Sequence, residues 1–211
     1  MLQTMTKRLL ITIFGAVLLA GAASAAEIVY IKDFPNSVPE YVHIVLNENG
    51  QVSYQESEDD DPTVFQLEEP IRAEMFKLAG DLDHFDKPLE SGLKVANMGK
   101  KTFRWEDAGT MAEASYNHTN EKEAQQLQAD FDHIAESETL LFALERAVRY
   151  DRLGVHEALL NIEDAWKKKR LVGTSQFLPL MQQVRDNEAY LHMARERAAR
   201  LTEEIDKVYG E

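Results

Sequence analysis

From Phe177 to Val208 the sequence carries one repeating feature that restricts its fold more than any other. Phe177, Leu180, Val184, Asn187, Leu191, Ala194, Ala198, Leu201, Ile205 and Val208 follow one another at alternating spacings of three and four. Such spacing places every member on one stripe of a helix. The pattern predicts a single helix from Thr174 or Ser175 to Gly210, with Pro179 near its first turn. A stripe that long must lie against another long element, in the same chain or in a second copy.

Two upstream segments offer matching stripes. Leu127, Phe131, Ile134, Leu141, Leu144 and Val148 form one over 120–153, which Glu136-Ser137-Glu138 interrupts with a candidate kink. Asn120 with Glu123 has the form of a capping box at its start, and Gly154 stands where a helix ends. Val155, Ala158, Leu159, Ile162, Ala165 and Trp166 form the second stripe over 155–170, closed by the bases Lys167 to Arg170 that suit a helix C-terminus. Short connections favour antiparallel neighbours, so an antiparallel helical hairpin or bundle within one chain is expected. Homodimerisation through the last helix is the alternative. Asn187, the only polar member of the seam, is the candidate register residue for either arrangement. Its competing reading is an exposed position on a stripe that drifts, because a straight helix repeats about every 3.6 residues rather than 3.5.

The first half has strand chemistry. Tyr41–Leu46 and Gln51–Glu56 flank Asn49-Gly50, a hairpin signal. A two-residue turn would pair Val45 with Tyr54 and mix the faces. A three-residue loop with Gly50 left-handed puts Val42, Ile44 and Leu46 beside Val52 and Tyr54, and is preferred for its uniform apolar face. Thr63–Leu67 reads as a further strand. Ile28–Phe34 reads as an edge strand or a loose leader stopped by Pro35. Pro70 opens a helix with the stripe Ile71, Met75, Leu78, Leu82 and Phe85. Leu93–Ala96 reads as a short strand or an ordered loop. Lys101–Glu106 and Met111–Asn117 pair across Asp107-Ala108-Gly109, with Phe103 and Trp105 facing Ala112, Ala114 and Tyr116. Strands, one helix, strands and then helices only make an α+β chain: a small antiparallel sheet with one packed helix, then the helical part.

The first residues read as an address rather than as structure. Lys7 and Arg8 precede an apolar run from Leu9 to Ala20, and Ala23-Ser24-Ala25 has the form of a cleavage site. The run is short for a membrane span. The expected division is a signal peptide over 1–25, a sheet domain over 26–119 and a helical domain over 120–211. Cleavage removes two bases and no acid, which takes the formal charge from −14 to −16. The chain has no cysteine, so neither a disulfide nor a lipidated cysteine can form. A secreted or periplasmic bacterial protein, held together by its core alone, fits these features.

Charge narrows the partners. Residues 26–68 hold ten acids and one base, Lys32. Nucleic acid and anionic lipid would be repelled by that half. Another envelope protein, or a second copy, is the expected partner, and no transmembrane segment remains after cleavage.

Catalytic signatures are sparse. The six histidines stand at no ligand spacing such as H-E-x-x-H. The run Glu56 to Asp61 lacks the D-x-D-x-D-G order of a calcium loop and reads as a solvated acidic loop. There is no G-x-S-x-G, P-loop or G-x-G-x-x-G. Asn117-His118-Thr119 matches a glycosylation sequon, which matters only in a eukaryotic secretory pathway. No catalytic residue, metal ligand or cofactor is expected. One stretch stands out in an acidic protein: Lys94, Asn97, Lys100, Lys101, Arg104 and Trp105 form a candidate basic, aromatic-flanked interaction surface. Its competing reading puts Trp105 in the core and the lysines among balancing charges.

The stretch Glu90 to Gly99 followed by Thr102-Phe103-Arg104-Trp105, with Asp151 to Val155, Ala158-Leu159-Leu160, Asp164-Ala165-Trp166 and Phe177 to Leu180, resembles a set of uncharacterised secreted proteins of acidobacteria-like soil bacteria. The resemblance spans most of the chain after residue 25. It implies export and a shared fold, and brings no activity or catalytic residue with it. The expected function is an exported non-enzymatic binding or assembly protein organised on the long last helix. The alternatives are an exported hydrolase whose site is assembled from dispersed residues and a homodimeric structural protein of the envelope.

Overall fold

The computed structural model describes residues 25–209. All of the expected signal peptide except Ala25 lies outside them. The chain is α+β. Strands β1 (Glu27–Asp33), β2 (Tyr41–Asn47), β3 (Gln51–Gln55), β4 (Thr63–Gln66), β5 (Lys100–Asp107) and β6 (Thr110–Tyr116) form one antiparallel sheet in the order β4-β3-β2-β1-β5-β6. Among the described residues five α-helices accompany it: α1 (Glu69–Asp81), α2 (Lys122–Tyr150), α3 (Val155–Lys167), α4 (Leu178–Asp186) and α5 (His192–Tyr209).

Gly50 sets the register of the first hairpin. It takes φ +81, which only glycine adopts freely, and Leu46 pairs with Val52 and Ile44 with Tyr54. This is the three-residue loop with the uniform face. Ile44, Leu46 and Val52 are fully buried. The β5–β6 pair also follows the alternation, with Phe103 opposite Ala114 and Trp105 opposite Ala112.

The structure corrects the reading of residues 28–34. They form neither an edge strand nor a loose leader: β1 is an inner strand, paired over its whole length with β2 on one side and β5 on the other. Ile28 and Tyr30 are fully buried. Residues 93–96 form no strand, and Leu93 and Val95 are exposed.

Two helices cover the inner face of the sheet. α1 supplies Met75, Leu78 and Ala79, followed by Leu82 and Phe85. The first half of α2 supplies Ala124, Leu127, Phe131 and Ile134. Phe131 stacks on Tyr30 with centroids 4.9 Å apart, and Phe85 stacks on Phe103 at 5.2 Å. Each such ring contributes about 1.5–3 kcal/mol through burial. A second cluster gathers the last half of α2 with α3, α4 and α5 through Leu144, Leu159, Ile162, Phe177, Val184, Ala198 and Leu201. α2 thus belongs to both clusters, and Glu136-Ser137-Glu138 leaves it unbroken.

The seam is not one helix, which is the second correction. Asn187 leaves helical geometry (φ −105, ψ 112), and its Oδ1 accepts the Ala189 N–H at 2.9 Å. Tyr190 then turns inward and donates its hydroxyl to the Val148 carbonyl at 3.2 Å. The Arg195 guanidinium reaches back to the Arg185 carbonyl at the end of α4. α4 and α5 pack on each other instead of continuing one another. Asparagine bonds its own backbone more readily than it sits mid-helix, and burying Tyr190 requires the turn. Asn187 is exposed, so it sets no register between buried helices.

Two end signals differ as well. Asn120 does not cap α2: the helix begins after Glu121, and Thr119 Oγ1 accepts the Glu121 N–H. Gly154 is right-handed and precedes α3, where its N–H bonds to Asp151 Oδ1.

Candidate functional site

The six residues of the basic, aromatic-flanked stretch do not share one surface. Lys94 and Asn97 are exposed in the loop before β5. Along β5 the side chains alternate. Lys101, Phe103 and Trp105 face the helices, whereas Lys100 and Arg104 face away. Trp105 is half-buried against Phe76 and His84. Arg104 forms ion pairs with Glu113 and Glu106. Lys101 is only 3 % exposed, and its Nζ donates to the carbonyls of Met98, Gly99 and Asn117 at 2.7–3.1 Å. Burial holds its pKa below the usual lysine range. It is an internal clamp on the loop rather than a contact for a partner.

Asn117 holds the same loop. Its Nδ2 donates to the Ala96 carbonyl, its Oδ1 accepts the Met98 N–H, and its own N–H goes to Glu90. That last bond keeps the Glu90 carboxyl below the usual range. The amide of the sequon is thus engaged in protein hydrogen bonds.

A more concentrated site lies elsewhere. At the far end of the β2–β3 hairpin the acidic loop stands across from the middle of α2, and a cleft of about 600 Å³ opens between them. Glu56, Asp60 and Asp61 line one wall, and Glu138 and Glu145 line the other. Val38 and Pro39, from the loop between β1 and β2, and Leu141 and Phe142, from α2, supply the apolar lining. Val38 is 97 % exposed and Phe142 is 66 % exposed. Among the described residues no lysine, arginine or histidine lines the cleft. The loop reaches this position because β3 ends at Gln55 and Pro62 precedes β4, which leaves the acids between two strand ends.

Glu138 is the unusual member. It is 7 % exposed, and Oε1 accepts the Gln176 amide at 2.8 Å. No other hydrogen bond and no cation reaches the carboxyl among the described residues. Burial first, then the nearby Glu145 and Glu56, raise its pKa to about 7, although the Gln176 bond opposes the shift. Tyr54 beside it donates its hydroxyl to Glu56 at 2.8 Å, and burial followed by that bond raises its own pKa.

Neighbouring residues hold Glu138 in place. Ser137 Oγ accepts the Val172 N–H, and Glu68 accepts the Gly173 and Thr174 N–H groups, so segment 171–176 is pinned between α1 and α2. Gln176, the partner of Glu138, sits on that segment.

Sequence reasoning gave the acids at 56–61 a solvated role and passed over Glu138 as part of a helix break. The available signal was a glutamate on the apolar stripe of a helix, three residues before Leu141. Among the described residues no group of three or more His, Cys, Asp or Glu is placed to hold a metal ion. No helix among them is long and apolar enough to cross a membrane. Neither a protein-family model nor a curated protein matches the chain.

Proposed function

We propose that this chain is an exported, non-enzymatic binding protein of the cell envelope, and that its ligand occupies the cleft between the acidic loop and α2. The supporting observation is the cleft itself: a concave site whose charged lining is all acidic, with the exposed apolar side chains Val38 and Phe142 and a buried carboxyl that no cation neutralises among the described residues. Export rests on the leader pattern and on the resemblance to secreted proteins. The helical part, α2 to α5, is read as an antiparallel bundle that keeps α2 rigid behind the site. Labelled protein mixed with an envelope metabolite extract tests this reading by NMR. Amide shifts should cluster at residues 38–39, 54–63 and 138–145. Shifts confined to another surface, or none, would refute it.

One observation favours the hydrolase alternative. Burial raises the Glu138 pKa to about 7 beside Glu56, and an acid of raised pKa paired with a second carboxyl is the arrangement glycoside hydrolysis uses. Turnover of chromogenic glycosides, lost in both Glu138→Gln and Glu56→Gln, would establish it.

A further inference from the structure

We propose that the cleft is a seat for a linear aliphatic polyamine, with one ammonium group on Glu138 and a second on Glu145. This rests on the reading of the cleft as the binding site and names its ligand class.

The first support is the order of side chains along α2. Glu138 and Glu145 are seven residues apart and both line the cleft, with Leu141 and Phe142 between them. Seven residues span about 10 Å of helix axis, and residues spaced by three and four share a face. The wall therefore runs carboxylate, apolar patch, carboxylate. A polyamine has the complementary order of ammonium, methylenes and ammonium. The facing wall repeats the chemistry with Glu56 and the Val38–Pro39 corner. A triamine such as spermidine can place ammonium groups on both carboxylates of α2 and keep a further one for Glu56, whereas a short diamine has only two. A lysine side chain offers a single ammonium on its stem, so a peptide matches the wall less well.

The second support is Glu138 alone. A carboxyl that is nine-tenths buried is normally paired with a cation, because an isolated buried charge is costly. Here one oxygen meets a neutral amide, and the other accepts no hydrogen bond from the described residues and is not sealed from solvent. The groups that face it are Tyr54 and Glu56 from β3 and its end, Gln176 from segment 171–176, and Glu145 on its own helix. None is a cation. A ligand ammonium supplies the missing charge and expels the proton that Glu138 carries near neutral pH.

Calorimetric titration of the full chain at physiological salt tests the proposal, with spermidine, putrescine, trilysine and magnesium chloride as probes. Spermidine should bind at one saturable site, with release of a fraction of a proton at pH 7 read from two buffers of different ionisation enthalpy. Glu138→Gln should weaken spermidine about tenfold or more. Glu145→Gln, at an exposed position, should also weaken spermidine, by less than Glu138→Gln does. Affinity that follows charge alone, with magnesium or trilysine equalling spermidine, would overturn the polyamine assignment. So would spermidine binding that ignores both substitutions. A trilysine that binds more tightly, with the same dependence on Glu138, would replace the polyamine with a basic peptide. Silence from all four probes, while extract shifts still map to the cleft, would end the polyamine proposal and leave the binding reading intact. Failure of both experiments would end both.

Discussion

Glu68 accepts the Gly173 N–H at 2.8 Å and the Thr174 N–H at 2.7 Å, across more than a hundred residues of sequence. Its own helix, α1, takes no side-chain cap from it. The carboxylate that precedes α1 instead closes the turn before α4, and so ties the sheet to the helical part. Segment 171–176, which carries the partner of Glu138, is held by this bond.

Glu68→Ala leaves both N–H groups and the Thr174 hydroxyl without their acceptor. A loss of about 1–3 kcal/mol is expected in urea denaturation. An unchanged midpoint would show that solvent replaces the carboxylate.

Gly173 takes φ +60, and a Cβ there would lie 2.8 Å from the Phe65 ring. Gly109 takes φ +85 with nothing within 4 Å of its Cβ. Alanine at either position is strained by its backbone, at about 1 kcal/mol. Gly173→Ala should cost clearly more than Gly109→Ala in the same thermal melts, and the difference measures the contact with Phe65. Equal losses would mean that the ring moves aside freely.

Burial and the adjacent acids raise the Glu138 pKa from its ordinary 4.5 to about 7. The folded state therefore holds this proton over a range in which the unfolded chain has released it. Stability from this group is fully present below pH 4.5 and is lost as pH rises through 7. The change is on the order of 3 kcal/mol. Glu138→Gln removes it, so the variant should gain on the wild type between pH 5 and pH 8 in urea titrations. A constant difference across that range would contradict the assignment.

Lys101 donates to three backbone carbonyls in a buried position, whereas Lys94 and Lys100 are exposed. Lys101→Met should lower stability by about 2–4 kcal/mol, because it strands buried acceptors. Lys94→Met and Lys100→Met should stay within about 0.5 kcal/mol of wild type. Denaturation of the three variants separates an internal clamp from an interaction surface.

Asn187→Ala removes the bond to the Ala189 N–H and should cost about 0.5–1 kcal/mol, with helix content by circular dichroism unchanged. A rise in helix content would mean that α4 and α5 merge once the asparagine is gone.

Much of the fold was legible locally. The pairing of Ile44 with Tyr54 follows from alternation and from Gly50, and the facing of Trp105 and Ala112 follows from alternation alone. The stripe of α1 also reads directly in Met75 and Leu78, which are buried, and Ile71, which is partly buried, whereas Leu82 and Phe85 are buried beyond the end of the helix at Asp81. β1 was not legible: an apolar run ended by a proline looks the same at an edge as between two strands, and its neighbour β5 lies some seventy residues away. The candidate site was hardly legible. Its walls come from three separate stretches, and an acidic run beside a proline reads as solvent-facing unless the opposing helix is known.

The sequence alone determined the local periods, the turn glycine, the absence of cysteine and the charge imbalance, because each is a property of neighbouring residues or of composition. Tertiary structure alone decided that β1 lies inside the sheet and that the seam from Phe177 to Val208 bends at Asn187. It alone decided that Glu138 is buried opposite Glu56, with no cation beside it among the described residues. A heptad pattern records which side chains want to leave water but not whether the backbone between them stays straight. In this chain the burial of Tyr190 and the asparagine turn outweighed continuous helix, and the partners of Glu68 and Glu138 were chosen by contacts that no local pattern encodes.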